Sequence, residues 1–349
     1  MVGLQRQDAS GAMALACIIA LAAFRRLLFW RPAGKNRLAI ATFFAAIAVQ
    51  LLSPQKDLPL AVAALAMGAA MGHKMEAVHL SALSLHICGA IGCAIFPQCR
   101  IAGTAYAIGA LGSAGIFPFC IGAKRNLIGA ESAIMVSLCR HSYLLCAALA
   151  APPPMNLSAA LPLAALSAAF AALLANGDRF IWRAASSVAN FSAATSFAAA
   201  IFPATRHAAI VCFLSTQLAQ MQLAFALPRG DTLEERELKS LICKNRRRAI
   251  CVALQWTILC LSPIIVFCAR SAISICAAAS ALAIFVACLC PFIFLKMAVR
   301  IVAIVSTGSC NRSYRHPLEE KFSGTATALA IGSSAAILLA SFAFSPFRI

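Results

Sequence analysis

The chain has 349 residues, of which 62% are hydrophobic and only 11% charged, with a mean hydropathy of +0.87. A soluble globular domain carries about 25% charged residues, so a water-soluble fold and a soluble catalytic domain are both excluded. The 29 Lys and Arg against 11 Asp and Glu give a formal charge of +18, but the bases cluster between apolar runs, as in cytoplasmic loops. No basic stripe interleaved with stacking aromatics marks a nucleic-acid partner.

The N-terminal MVGLQRQDASGAMALACIIALAAFRR has the outline of a signal peptide, yet reads as a first span because further apolar runs follow at once. Runs lie near 10–30, 37–53, 58–72, 76–97, 101–119, 129–150, 157–175, 185–203, 207–227, 249–268, 273–304 and 324–345. A spanning helix needs about 20 apolar residues. The pattern therefore predicts an all-α polytopic transmembrane helix bundle of about twelve helices, a single integral membrane domain over 1–349 with no extramembrane domain. Several runs are Ala-rich and poor in Leu, which suits close packing through small side chains. Pro54, Pro118 and Pro263 fall at or inside runs, and Pro118 and Pro263 are the candidate helix breaks, because proline removes a rung of the backbone ladder.

The longest connection, PRGDTLEERELKSLICKNRRR at 228–248, holds seven bases: Arg229, Arg236, Lys239, Lys244 and Arg246 to Arg248. The positive-inside rule places it on the cytoplasmic or matrix side. Its middle, with Leu233, Leu238 and Leu241 at helical spacing behind acidic residues, predicts a short surface helix.

Ionisable groups inside hydrocarbon are costly and mark ion pathways or bundle-facing pairs. Along the chain the candidates are Lys56 and Asp57, Glu76, His79 and His86, Arg140 and His141, Asp178 with Arg179 and Arg183, and Arg270. Lys56, Asp57, Glu76, Asp178 and Arg179 read equally well as loop residues. Arg140 and His141 sit midway through the run 129–150, too far from either end for easy snorkelling, and Arg270 follows LSPIIVFCA directly. The 16 cysteines fall mostly singly in apolar runs and make no CxxC, so they read as small buried hydrophobes rather than as a metal site. There is no phosphate-binding glycine loop, HExxH or GxSxG, so no catalytic residues and no cofactor are assigned to this chain.

Three segments in order carry a resemblance. In GIFPFCIGAKRNLIGAE (115–131), Pro118, Phe119, Gly129 and Ala130 match; in DRFIWRAASSVANF (178–191), Ser186, Ser187 and Val188 match; in LSPIIVFCAR (261–270), Pro263, Phe267 and the basic Arg270 are in register. FIFLK (292–296), DLPLAV (57–62) and MEAV (75–78) add weaker matches. Together, over about 57–304, the chain resembles the antiporter-type membrane subunits of proton-pumping NADH-quinone oxidoreductase (respiratory complex I), and most of all subunit N, in a divergent, N-terminally shortened form. The resemblance implies two related repeats of about five helices with broken helices. It also implies a multi-pass location in a bacterial or mitochondrial inner membrane, with other membrane subunits of complex I, the quinone pool and the bilayer as partners. Flavin and iron–sulfur clusters would be in partner subunits.

The chain departs from the family's pattern where charge matters. Ser113 stands where the family has a lysine before the proline of its Pro-Phe-His, and Tyr143 where it has the next lysine, with Arg140 one turn earlier. Pro54 takes the place of the glutamate before Leu-Pro-Leu, leaving Lys56 and Asp57 as the nearest charges, and Asn190 takes a histidine's place. The proton-pathway candidates are accordingly Arg270, Arg140, His141, Lys56, Asp57 and His86. Two function classes follow. One is a proton-translocating, non-catalytic subunit of a redox machine. The other is a free-standing cation/proton antiporter or other secondary transporter, which predicts inverted repeats and midplane acids. A third reading, a structural subunit without an ion path, is the plainest.

Overall fold

The computed structural model describes residues 77–96, 99–114, 181–201, 206–227, 238–239, 241–268 and 281–307, most of 140–148 and 165–173, position 176, and single positions between 324 and 335. Its elements are all α-helices: α1 (Ala77–Ile95), α2 (Arg100–Ser113), α3 (Ile181–Ala200), α4 (Arg206–Ala226), α5 (Leu241–Lys244), α6 (Arg246–Cys268) and α7 (Ala281–Ser306). Six of these lie on apolar runs read from the sequence, with ends shifted by a few residues. Lys56, Asp57, Pro118 and Arg270 lie outside the described residues, as do all the spans expected before residue 76.

At 1.5 Å per residue, the 20 to 26 residues of α3, α4, α6 and α7 give lengths comparable to a bilayer's hydrocarbon core of about 30 Å. Over the described residues alone, no helix is long and apolar enough to cross a membrane. In α3 the reason is visible in the sequence: Ser, Thr and Asn interrupt its alanines.

The α1–α2 pair is a tight hairpin closed by backbone bonds from Phe96 N–H to Gly92 O (2.8 Å) and Cys99 N–H to Phe96 O (2.9 Å). Its helices approach so closely that glycine is required. A Cβ on Gly109 would meet the backbone nitrogen of His86 and, at 2.5 Å, its Cα; one on Gly89 would meet Tyr106 in the same way, at 2.7 Å from Cα. Small residues let backbones touch where apolar solvent supplies no hydrophobic drive between helices.

The second group of helices has α6 at its centre, packed on α3, α4, α5 and α7, with α3 also against α4. Phe191 of α3 and Phe294 of α7 meet with ring centroids 4.5 Å apart and planes tilted by 60°. Among the described residues, Trp256, Phe197, Tyr106 and Tyr143 are further fully buried aromatic side chains in a core otherwise rich in alanine.

Pro263 does not end its helix. α6 runs through it to Cys268, so the expected break is a missing rung rather than a stop. Neighbouring hydroxyls make i to i−4 back-bonds in this stretch, Ser262 Oγ donating to Ile258 O at 2.6 Å and Thr257 Oγ1 to Ala253 O at 2.8 Å; the carbonyl that Pro263 leaves without its ladder donor is that of Leu259. Pro291, which the sequence reading passed over, sits inside α7 in the same way.

In the basic connection, the expected surface helix is seen only as the single turn α5, with 232–237 outside the described residues. Leu238 and Leu241 are buried in the core, as their spacing requires. Cys243, Lys239, Arg246 and Arg247 are exposed. Asn245 caps α6 by accepting from the Arg248 backbone N–H at 3.1 Å, so the triple arginine begins a helix instead of ending a loop.

Candidate functional site: a buried polar seam

α3 and α4 meet along uncharged polar side chains. Ser192 Oγ lies 2.5 Å from Thr216 Oγ1 and 3.1 Å from Cys212 Sγ. Thr195 donates to Ser192 O and Thr216 to Cys212 O, at 2.9 and 2.8 Å. One turn beyond, Gln220 Nε2 reaches the Ala185 carbonyl at 3.5 Å. Gln217, Gln222 and Gln255 are also buried. Buried polar groups are normally satisfied; here Ser192, Thr216, Cys212 and Gln220 are bonded across the helix pair, while Gln217, Gln222 and Gln255 each keep a buried Oε1 with no hydrogen-bond partner among the described residues.

His141 enters this seam from the helical stretch 140–148 and is 1% exposed. Its Nε2 is 2.8 Å from Asn190 Oδ1 on α3, and its Nδ1 is 3.1 Å from Gln217 Nε2 on α4. An amide oxygen only accepts and an amide nitrogen only donates. Nε2 therefore carries the proton and Nδ1 the lone pair: the imidazole is neutral, clamped between two amides. Arg140, half-buried, adjoins it and interacts with it electrostatically.

His86, on α1, is buried on the other side of the same stretch. Its Nδ1–H donates to the Tyr106 carbonyl at 2.9 Å, its ring lies against Tyr106 with centroids 4.2 Å apart, and Tyr143 meets it edge-on at 5.4 Å. Tyr106 Oη donates to Ala147 O at 2.7 Å. His86 Nε2 is buried with no hydrogen-bond partner among the described residues. The 140–148 stretch thus touches both histidine sites: Tyr143 and Ala147 meet α1 and α2, and His141 meets α3 and α4.

Arg140 and His141 are neighbours in the chain, and the structure sets His86 against Tyr143, two residues further on. It adds Gln217, which sequence reading missed; three glutamines within the 21-residue α4 were the available signal. No Asp or Glu falls among the described residues, and there no group of three or more His, Cys, Asp or Glu side chains could hold a metal ion. What the seam offers chemically is a set of neutral donors and acceptors with one imidazole able to take a proton.

Fold and site together define an all-helical bundle with a polar seam buried between its helices. By fold, the chain is similar to a chain in the structure of respiratory complex I from Thermus thermophilus with bound aureothin, with a TM-score of 0.69 and 13% identity over 96% of this chain and 84% of that one. No protein-family profile matches the sequence, and no curated protein does.

Proposed function

We propose that this chain is a proton-translocating membrane subunit of an NADH-quinone oxidoreductase of the complex I type, of the subunit N kind. It has no active site of its own and works beside other membrane subunits in an inner membrane. The observation that carries the reading is His141 held between Asn190 and Gln217 inside an apolar bundle. A titratable ring buried in a polar seam is the residue type and setting that proton movement through a membrane needs. The shared fold supports the same reading.

In this reading His141 and Arg140 stand in for a buried lysine. The imidazole holds the proton, and the guanidinium, always charged, sets the local field. Arg270, seven residues after Pro263 in the sequence, provides a second fixed charge controlling the exit half of the path, with Lys56, Asp57 and His86 as further relay positions. Cofactors and quinone chemistry are in partner subunits. The experiment is native purification of the tagged full chain. Co-purification with NADH-quinone reductase activity and the sister membrane subunits supports the proposal; isolation of the chain alone as a transport-active monomer supports a free-standing antiporter instead.

A further inference from the structure

We infer that Gln217 is the gate of the proton on His141: its side-chain amide turns over when the imidazole is protonated and turns back when the proton leaves. This rests on reading His141 as a proton-holding group, and it assigns a positioning role that neither the fold nor the resemblance supplies.

The argument starts from an unsatisfied atom. Gln217 is 4% exposed; its Nε2 donates to His141 Nδ1, and its Oε1 is buried with no hydrogen-bond partner among the described residues. A buried acceptor left unpaired is unfavourable, so this amide sits in an orientation that serves the imidazole at its own expense. Protonating the ring converts Nδ1 from acceptor to donor. Asn190 Oδ1 accepts from Nε2–H in both states and need not move, whereas the Gln217 NH2 would then face Nδ1–H, donor against donor.

Half a turn about χ3 exchanges Oε1 and Nε2. The terminal amide torsion is broad and roughly two-fold, so both orientations are open to it. After the turn Oε1 accepts from Nδ1–H and Nε2 takes the place Oε1 held, so the amide keeps one unpaired end in either state and the protonation of the ring decides which. The step balances simply: hydronium gives its proton to Nδ1 and leaves as water, and the reverse step restores the neutral ring. Each protonation state has one matching amide orientation, so the two rise and fall together. Among described side chains on the surrounding elements, Arg140 adjoins the ring, Arg183 of α3 is exposed, and the Cys212 thiol of α4 is bonded to Ser192. None of these supplies an alternative acceptor for Nδ1–H.

The test is solid-state NMR on the full chain in its native membrane assembly, with 13C-glutamine and 15N-histidine, across about pH 3 to 8, since burial disfavours a charged ring. Gln217→Leu identifies the Gln217 carbonyl signal by its loss; should that variant not accumulate, Gln217→Met serves equally. The expected result is that His141 passes from one protonated nitrogen to two and the Gln217 carbonyl signal shifts at the same midpoint. A carbonyl signal that stays fixed while His141 gains its second proton overturns the gate, and so does a ring that keeps one proton throughout. Proton translocation by the unaltered assembly is measured in parallel. Its absence sinks the transport reading without touching the coupled shift, whereas a fixed carbonyl in a translocating assembly sinks the gate alone.

Discussion

The residue that concentrates this account is His141, and its two amide partners make an energetic prediction. Asn190→Leu removes the acceptor of a buried N–H and leaves the imidazole half-satisfied, a cost of about 1–3 kcal/mol. Adding His141→Leu and Gln217→Leu together removes the orphaned donor and also the buried amide that would otherwise lose its own partner on the ring. The triple variant is therefore expected to melt no lower than Asn190→Leu alone, whereas independent sites would add their losses; apparent Tm of the purified assembly decides between the two. At this scale the sequence was half legible. A histidine beside an arginine in the middle of an apolar run announces itself by its cost, and Asn190 was found through the resemblance. Gln217 was not, because an uncharged amide is cheap enough in a helix to look incidental until its partner's position is known.

Helices were legible where hydrophobic runs were, and most described ends fall within a few residues of the runs that imply them. What the runs did not show is how closely the helices approach. Gly→Ala in a helix is ordinarily stabilising by about 0.5–1 kcal/mol. At Gly89 and Gly109 the sign should reverse, because the new methyl meets backbone that cannot swing aside. Overpacking of this kind costs about 1–3 kcal/mol or more. Gly92→Ala meets only the Ala102 Cβ, at 2.9 Å, and should be milder. Protease resistance of the three variants in membranes gives the order: Gly92→Ala closest to wild type, the other two clearly weaker. Equal resistance in all three would mean the α1–α2 crossing is looser than described. Pro263 teaches the complementary lesson. Proline's effect on a ladder is certain, but whether the helix stops or continues depends on the packing around it, here α6 set against α3, α4 and α7, which local rules do not weigh.

For the whole molecule, composition alone pointed to a bilayer, and two exposed cysteines can test it. Cys88 lies on α1 among exposed Leu85, Ile87 and Ile91, while Cys243 lies in the basic connection. In an intact membrane an impermeant maleimide should label Cys243 only from the cytoplasmic or matrix side and leave Cys88 unlabelled from both, as lipid or a sister subunit covers it. Labelling of Cys88 before solubilisation would contradict a membrane-embedded α1, and labelling of Cys243 from the opposite side would invert the topology. The charge distribution carries the same question to function. Among the described residues there is no carboxylate, and the buried imidazole rings are those of His86 and His141. The most direct measurement is the number of protons translocated per NADH oxidised in sealed vesicles containing the assembly, compared between wild type and His141→Leu at equal subunit content. The account predicts a lower ratio in the variant with assembly intact; an unchanged ratio would contradict it and leave the seam as packing between helices.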